Sequence, residues 1–184
     1  MGAGVASGGR LKGLTVPLGE HRLTVRPSVL LLAGLFVLWA WRMGTPPARL
    51  VTWVPLVAVS LLAHEAGHAV LAVQQGLGPV AVTLDIVGGL TRYGRRPGDA
   101  ATALAVSLAG PLAGMGLGAV FLGAWILAPE GSLGAYVAGW GAAVNLGWSA
   151  FNLLPLWPLD GGNAMASVFR AVGVGHPNRA AWAV

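Results

Sequence analysis

The sequence has no cysteine. That excludes disulfides and every thiolate metal site, so any metal must be held by histidine and carboxylate. Charge is also scarce. Only 9% of the 184 residues are Asp, Glu, Lys or Arg, against roughly 25% in an ordinary soluble domain. So few charges cannot coat a globule of this size in water, and the solvent implied is lipid. Acidic groups are the rarest, six against eleven Lys and Arg, for a net charge of +5. In a soluble protein that excess would raise nucleic acid as a partner. Here the arginines are scattered between apolar runs and form no stripe, which speaks against nucleic acid and for topology-setting charge beside a membrane. What the chain does have is apolar residues, 55% of the total, with a mean hydropathy of +0.71.

The apolar residues gather into spans. Residues 1–27 are Gly-rich and basic and read as a cytoplasmic, partly disordered segment. The apolar run after Arg26 reaches Trp39, Trp41 and Arg42 instead of a small-residue cleavage site, so it reads as a retained span and not a signal peptide. Ser28 to Trp41 is then a first span of about 21 Å, short enough that its flanking arginines must snorkel or the bilayer must thin. Leu50 to Val73 is the second span, Ala100 to Ala128 the third and Leu133 to Leu154 the fourth. The third would be about 43 Å long, so it must tilt or kink, with Pro111 the candidate kink site. Gly110, Gly114 and Gly118 recur at every fourth position, either as a seam for close helix approach or as part of the general Gly richness.

Between the second and third spans, Val80, Val82, Leu84 and Ile86 alternate with other residues, the period of a strand. Gly88-Gly89 can turn it back into Leu90 to Tyr93. The fold class expected is an all-α multi-span membrane protein of about four transmembrane helices, with a small β-hairpin near the membrane. The core spans residues 28–175 and includes a short amphipathic helix after Asp160. Residues 176–184 form a tail. With the N-terminus inside, Arg10, Lys12, Arg22, Arg26, Arg92, Arg95, Arg96, Arg170 and Arg179 fall inside, and only Arg42 and Arg49 fall outside. Basic residues flank cytoplasmic loops, so both ends are expected in the cytoplasm of a multi-pass protein of the plasma membrane.

One stretch of the second span, "LLAHEAGHAV" from Leu61 to Val70, carries three polar groups at high cost. Residues four apart on a helix lie about 40° apart around the axis and about 6 Å apart along it. His64 and His68 can therefore reach one metal ion, with Glu65 beside them and able to contact a water on it. This is the His-Glu-x-x-His pattern of zinc hydrolases. Ionisable groups inside a membrane are functional by default, and a divalent cation would offset their cost.

A zinc site needs a third protein ligand. His21 and His176 sit in apparent loops and read as solvated. Glu20 and Asp99 flank basic loops, Asp85 lies in the strand, and Glu130 falls on the opposite side of the membrane. Asp160 stands out. In "FNLLPLWPLDGG", Pro155 and Pro158 stop the helix, and Gly161-Gly162 permit unusual backbone. Unwound backbone at membrane depth is tolerated only where protein buries it or a cavity adjoins it. Such a segment can turn Asp160 inward towards the histidines.

Taken together, "HEAGH", "SLAGPLAG" at Ser107 to Gly114 and "NLLPLWPLDGG" at Asn152 to Gly162 resemble the site-2 protease family of intramembrane zinc metalloproteases. The resemblance covers roughly Leu50 to Val172. It implies one zinc ion held by His64, His68 and Asp160, with Glu65 as catalytic base and Asn152 helping to bind or polarise the substrate peptide. It also implies membrane lipid as surroundings and a transmembrane regulatory protein as substrate. The chain departs from many members in showing no PDZ or CBS domain and in ending soon after Asp-Gly-Gly. Two rival readings are a non-proteolytic membrane zinc protein, which would have no need of Glu65, and a transporter, which would show paired broken helices. The hairpin Pro79 to Tyr93 can supply a strand edge to an unwound substrate, or be a surface or re-entrant loop.

Overall fold

The computed structural model describes residues 13–173. The expected tail, with His176 and Arg179, lies outside them, as do Arg10 and Lys12. Each expected span forms a helix: α1 Val29–Arg42, α3 Trp53–Gln74, α4 Ala100–Leu127 and α5 Leu133–Asn152. A single turn, α2 Pro47–Leu50, follows the paired prolines, and α6 Asp160–Ala171 follows the Pro-rich break. Caps match the sequence. Asp99 accepts from the Thr102 N–H at the start of α4, and Ser132 accepts from the Ala135 N–H at the start of α5. Two helical stretches, Pro47–Gln74 and Ala100–Leu127, are long and apolar enough to cross a membrane, whereas α1 is apolar but shorter. Leu30, Leu31 and Leu35 of α1 and Val120, Ile126 and Leu127 of α4 turn outward and expose apolar surface.

The all-α expectation needs correction, because the chain is mostly helical but carries a four-stranded sheet in place of a lone hairpin. Its order is β1 Leu14–Leu18, β2 His21–Val25, β3 Val80–Asp85, β4 Gly88–Tyr93. Residues 14–25, expected to be partly disordered, are thus two strands. β1 pairs antiparallel with β2, and β2 pairs parallel with β3, Leu23 opposite Val82. Local pattern could not show this pairing, since its partners lie far apart in the chain. His21, expected to be a solvated loop residue, lies in β2, where its Nδ1 accepts from the Val80 N–H at 3.0 Å.

The hairpin also turns earlier than expected. Ile86 and Val87 form the turn, and Gly88-Gly89 belong to β4, which runs antiparallel to β3. β3 lies between β2 and β4, so the sheet edge on the hairpin side is β4. Val80, Val82 and Leu84 point inward to the core, as their alternation requires.

Polar contacts fasten the two ends of the bundle. At the sheet end, Arg26 donates to Asp85 at 2.6 Å and Ser28 donates to the same carboxylate at 3.0 Å, tying the start of α1 to the end of β3. At the other end, Arg49 donates to the Gly131 carbonyl at 2.7 Å and lies over the Tyr136 ring. Trp53, fully buried among Phe36, Trp39 and Trp140, donates to the Tyr136 hydroxyl.

The glycines of α4 form a packing seam, which decides between the two readings of their spacing. A Cβ on Gly110 would overlap the His68 ring, one on Gly114 would overlap Ser149 Oγ, and one on Gly118 would stand 2.8 Å from Leu146. Pro111 is buried inside the unbroken α4.

Candidate metal centre

α3 presents His64 and His68 on one buried face, as the four-residue spacing requires. The third group comes from the chain break after α5. Gly161 and Gly162 pack directly against the Leu153 and Leu156 carbonyls, where any Cβ would overlap backbone. That close fold-back brings Asp160, the first residue of α6, over the histidines. Asp160 Oδ2 stands 3.0 Å from His64 Nε2, and Oδ1 stands 3.3 Å from His68 Nε2. The two Nε2 atoms are 3.3 Å apart.

These donors fit a zinc ion. Tetrahedral ligands at 2.0–2.1 Å from zinc lie about 3.3 Å from one another, close to the separations found. The tautomers fit as well. His68 Nδ1 donates to the Val106 carbonyl at 2.7 Å, which leaves the Nε2 lone pair of the neutral ring facing the cluster. Among the described residues this is the one group of three metal-ligating side chains that converges, with its donor atoms within 4.8 Å of one another.

Glu65 is buried beside the cluster and is not part of it. The β-hairpin holds it. Thr91 Oγ1 on β4 donates to Glu65 Oε2 at 2.7 Å and also approaches the Glu65 carbonyl. Gly89, two residues earlier on the same strand, lies against the carboxyl so closely that a Cβ would overlap it. The next glycine, Gly88, faces Trp148 of α5. β4 therefore presses its glycine end onto the acid, and no strand among the described residues pairs with its outer edge.

The other candidates go elsewhere. Asp85 is committed to Arg26 and Ser28, so this carboxylate is a structural anchor. Its carboxyl is held below the usual value, first by the Arg26 hydrogen bond. Asp99 is the α4 cap, and Glu130 is exposed at the turn before α5. Asn152 is buried, and its Nδ2 donates to the Trp148 carbonyl one turn back, not to the cluster. Sequence reasoning named Asn152 but missed Thr91, Gly89 and the two residues, Asn145 and Ser149, that form a polar row with Asn152 on α5. That row was visible, since the spacing of four and then three puts three polar residues on one face of an apolar helix. Asn145 in it donates to Ser60 Oγ and to the Gly141 carbonyl.

No family model matches the sequence. Known proteins do. A protein of Synechocystis named "Putative zinc metalloprotease sll0528" is 35% identical over 128 residues, 68% of this chain and 33% of its own length. "Putative zinc metalloprotease Rip3" of Mycobacterium tuberculosis is 35% identical over 167 residues, 80% of this chain and 42% of its own. The chain thus spans less than half of either relative. Among solved structures, the "Site-2 Protease from Methanocaldococcus jannaschii" superposes with a TM-score of 0.64 over 86% of this chain and 72% of that one. At 21% identity that likeness speaks for the fold. Metalloprotease relatives in sequence and a site-2 protease fold agree with the three motifs. The chain has the site-2 protease fold. Within that fold, the cluster joins the His-Glu-x-x-His and Asp-Gly-Gly motifs, although His64 and Asp160 lie 96 residues apart.

Proposed function

We propose that this chain is the catalytic core of an intramembrane zinc metalloprotease that hydrolyses peptide bonds within or near transmembrane segments of membrane-bound regulatory proteins. The observation that carries this is the convergence of His64, His68 and Asp160 with Glu65 held alongside by Thr91. His64 and His68 through Nε2, and Asp160 through its carboxylate, would hold one zinc. When bound, the ion supplies Lewis-acid activation of water and of the scissile carbonyl.

The protein supplies the rest. Thr91 occupies Glu65 Oε2 and leaves Oε1 to take a proton from the attacking water and pass it to the leaving nitrogen. Asn152 spends one N–H on Trp148, which leaves a second N–H and the carbonyl for a substrate peptide. A peptide bond in a helix is shielded, so the substrate must unwind. The open edge of β4 then offers it backbone partners beside Glu65. Lipid surrounds four spans, α1, α3, α4 and α5, in the plasma membrane, with the N-terminus and the sheet on the cytoplasmic side. The basic residues at the sheet end, Arg22, Arg26, Arg92, Arg95 and Arg96, against Arg42 and Arg49 at the other, support that orientation.

The test is cleavage of reconstituted transmembrane substrates by the full chain and by Glu65→Gln, with bound zinc measured in both. Wild type should cut, while Glu65→Gln should retain about one zinc and lose cleavage by 100-fold or more, the scale expected of a general base. Cleavage that survives in Glu65→Gln would refute the assigned role. Zinc bound with no cleavage by wild type would favour a non-proteolytic zinc protein.

A further inference from the structure

The fold serves the two histidines unequally. A neutral imidazole that binds metal through Nε2 carries its proton on Nδ1, and that N–H needs an acceptor to fix the ring. His68 has one in the Val106 carbonyl. His64 Nδ1 is buried and meets no partner among the described residues. A second orphan lies nearby: Ser149 Oγ on α5, a residue with no exposed surface, is buried and unpaired as well. Both face the same small space. A Cβ on Gly114 would overlap Ser149 Oγ and stand 3.8 Å from His64 Nδ1. Gly114 lies one turn beyond Gly110, whose missing Cβ makes room for the His68 ring. α4 thus sets a glycine against each histidine's surroundings. Buried polar atoms in native proteins are normally paired with protein or ordered water, and two orphans around one gap are each other's natural partners.

We infer that Ser149 is the positioning residue for His64. Its Oγ accepts the Nδ1 proton, directly after a side-chain rotation or through one water beside Gly114, and so aims Nε2 at the ion. This rests on the reading of His64 as a zinc ligand. Asn145, in the same polar row, spends its amide N–H groups on Ser60 and Gly141.

The experiment is chelator competition for zinc on the purified full chain in detergent, with thermal unfolding of the metal-free protein as a folding control. Loss of an outer partner of a ligand histidine costs about 10- to 100-fold in metal affinity. Ser149→Ala should show that loss with unfolding of the metal-free protein no earlier than wild type. Gly114→Ala, which pushes a methyl into the gap, should also weaken zinc, but should add little once Ser149 is already Ala. Native affinity in Ser149→Ala, or losses that simply add in the double variant, would overturn the assignment. His64→Ala separates the levels: it should abolish zinc binding. If it does not, the metal reading itself fails. If it does while Ser149→Ala binds normally, the Ser149 inference alone fails. A reading without any variant comes from 15N spectra of histidine-labelled, zinc-loaded protein. They should show a protonated, hydrogen-bonded Nδ1 on His64 as on His68, and a freely exchanging His64 Nδ1 proton would overturn the proposal.

Discussion

One hydroxyl decides which oxygen of Glu65 is available. Thr91 engages Oε2, and because it stands on the edge strand it links the proposed base to the surface where an extended peptide is proposed to pair. A hydrogen bond to a charged group contributes about 1.5–3 kcal/mol, and every 1.4 kcal/mol is tenfold in rate. Thr91→Val is therefore expected to lower kcat at least tenfold while KM and zinc content stay within twofold, and Thr91→Ser should recover most of the loss. Equal losses in Val and Ser would show that the methyl group and not the hydroxyl matters. At this scale the sequence was legible where chemistry is local. His64, Glu65 and His68 follow from helical spacing alone, and Asp160 from the prolines and glycines around it. Thr91 was not legible, because a polar residue in an alternating hairpin looks like any solvent-facing one. Ser149 could have been found from its spacing to Asn145 and Asn152.

At the scale of elements, the helices were read to within a few residues, because unbroken apolar runs and paired prolines bound them. The sheet was read only in half. Period-two alternation marked β3, but Leu14–Leu18 and His21–Val25 follow a Gly-rich leader, and their partner strand lies beyond two helices. The join between the two halves is the Arg26–Asp85 clamp, whose carboxyl has a depressed pKa. A depressed carboxyl stabilises the fold fully above its unfolded value of about 3.9 and loses that contribution as pH falls through the folded value. Asp85→Asn should therefore lower the unfolding temperature at pH 7 by an amount corresponding to about 1 kcal/mol or less, since both partners are partly exposed. The gap between variant and wild type should close as pH drops below the usual carboxylate value. A gap unchanged from pH 7 to pH 3 would show that the ion pair is not its source.

At the scale of the whole molecule, the contacts sort into two opposite ends, one with the sheet and one with the Arg49–Gly131 link. Accessibility tags at the N-terminus and near Arg95 should fall on one side of the membrane and a tag at Gly131 on the other, with the first pair cytoplasmic. Protection of Gly131 together with Arg95 would remove α4 as a span. The parallel pairing of β2 with β3 also constrains how the protein is made. His21 meets Val80 across 59 residues of chain. At 5–20 residues per second of synthesis, the first two strands wait roughly 3–12 s for the third. A two-stranded hairpin is marginal by itself in water, and throughout that interval its open edge is exposed to other chains. The ribosome must deliver α1 through α3 before the sheet can close. Membrane insertion thus sets the earliest time at which this chain can assemble its sheet, and any delay in inserting α3 extends its exposure to aggregation.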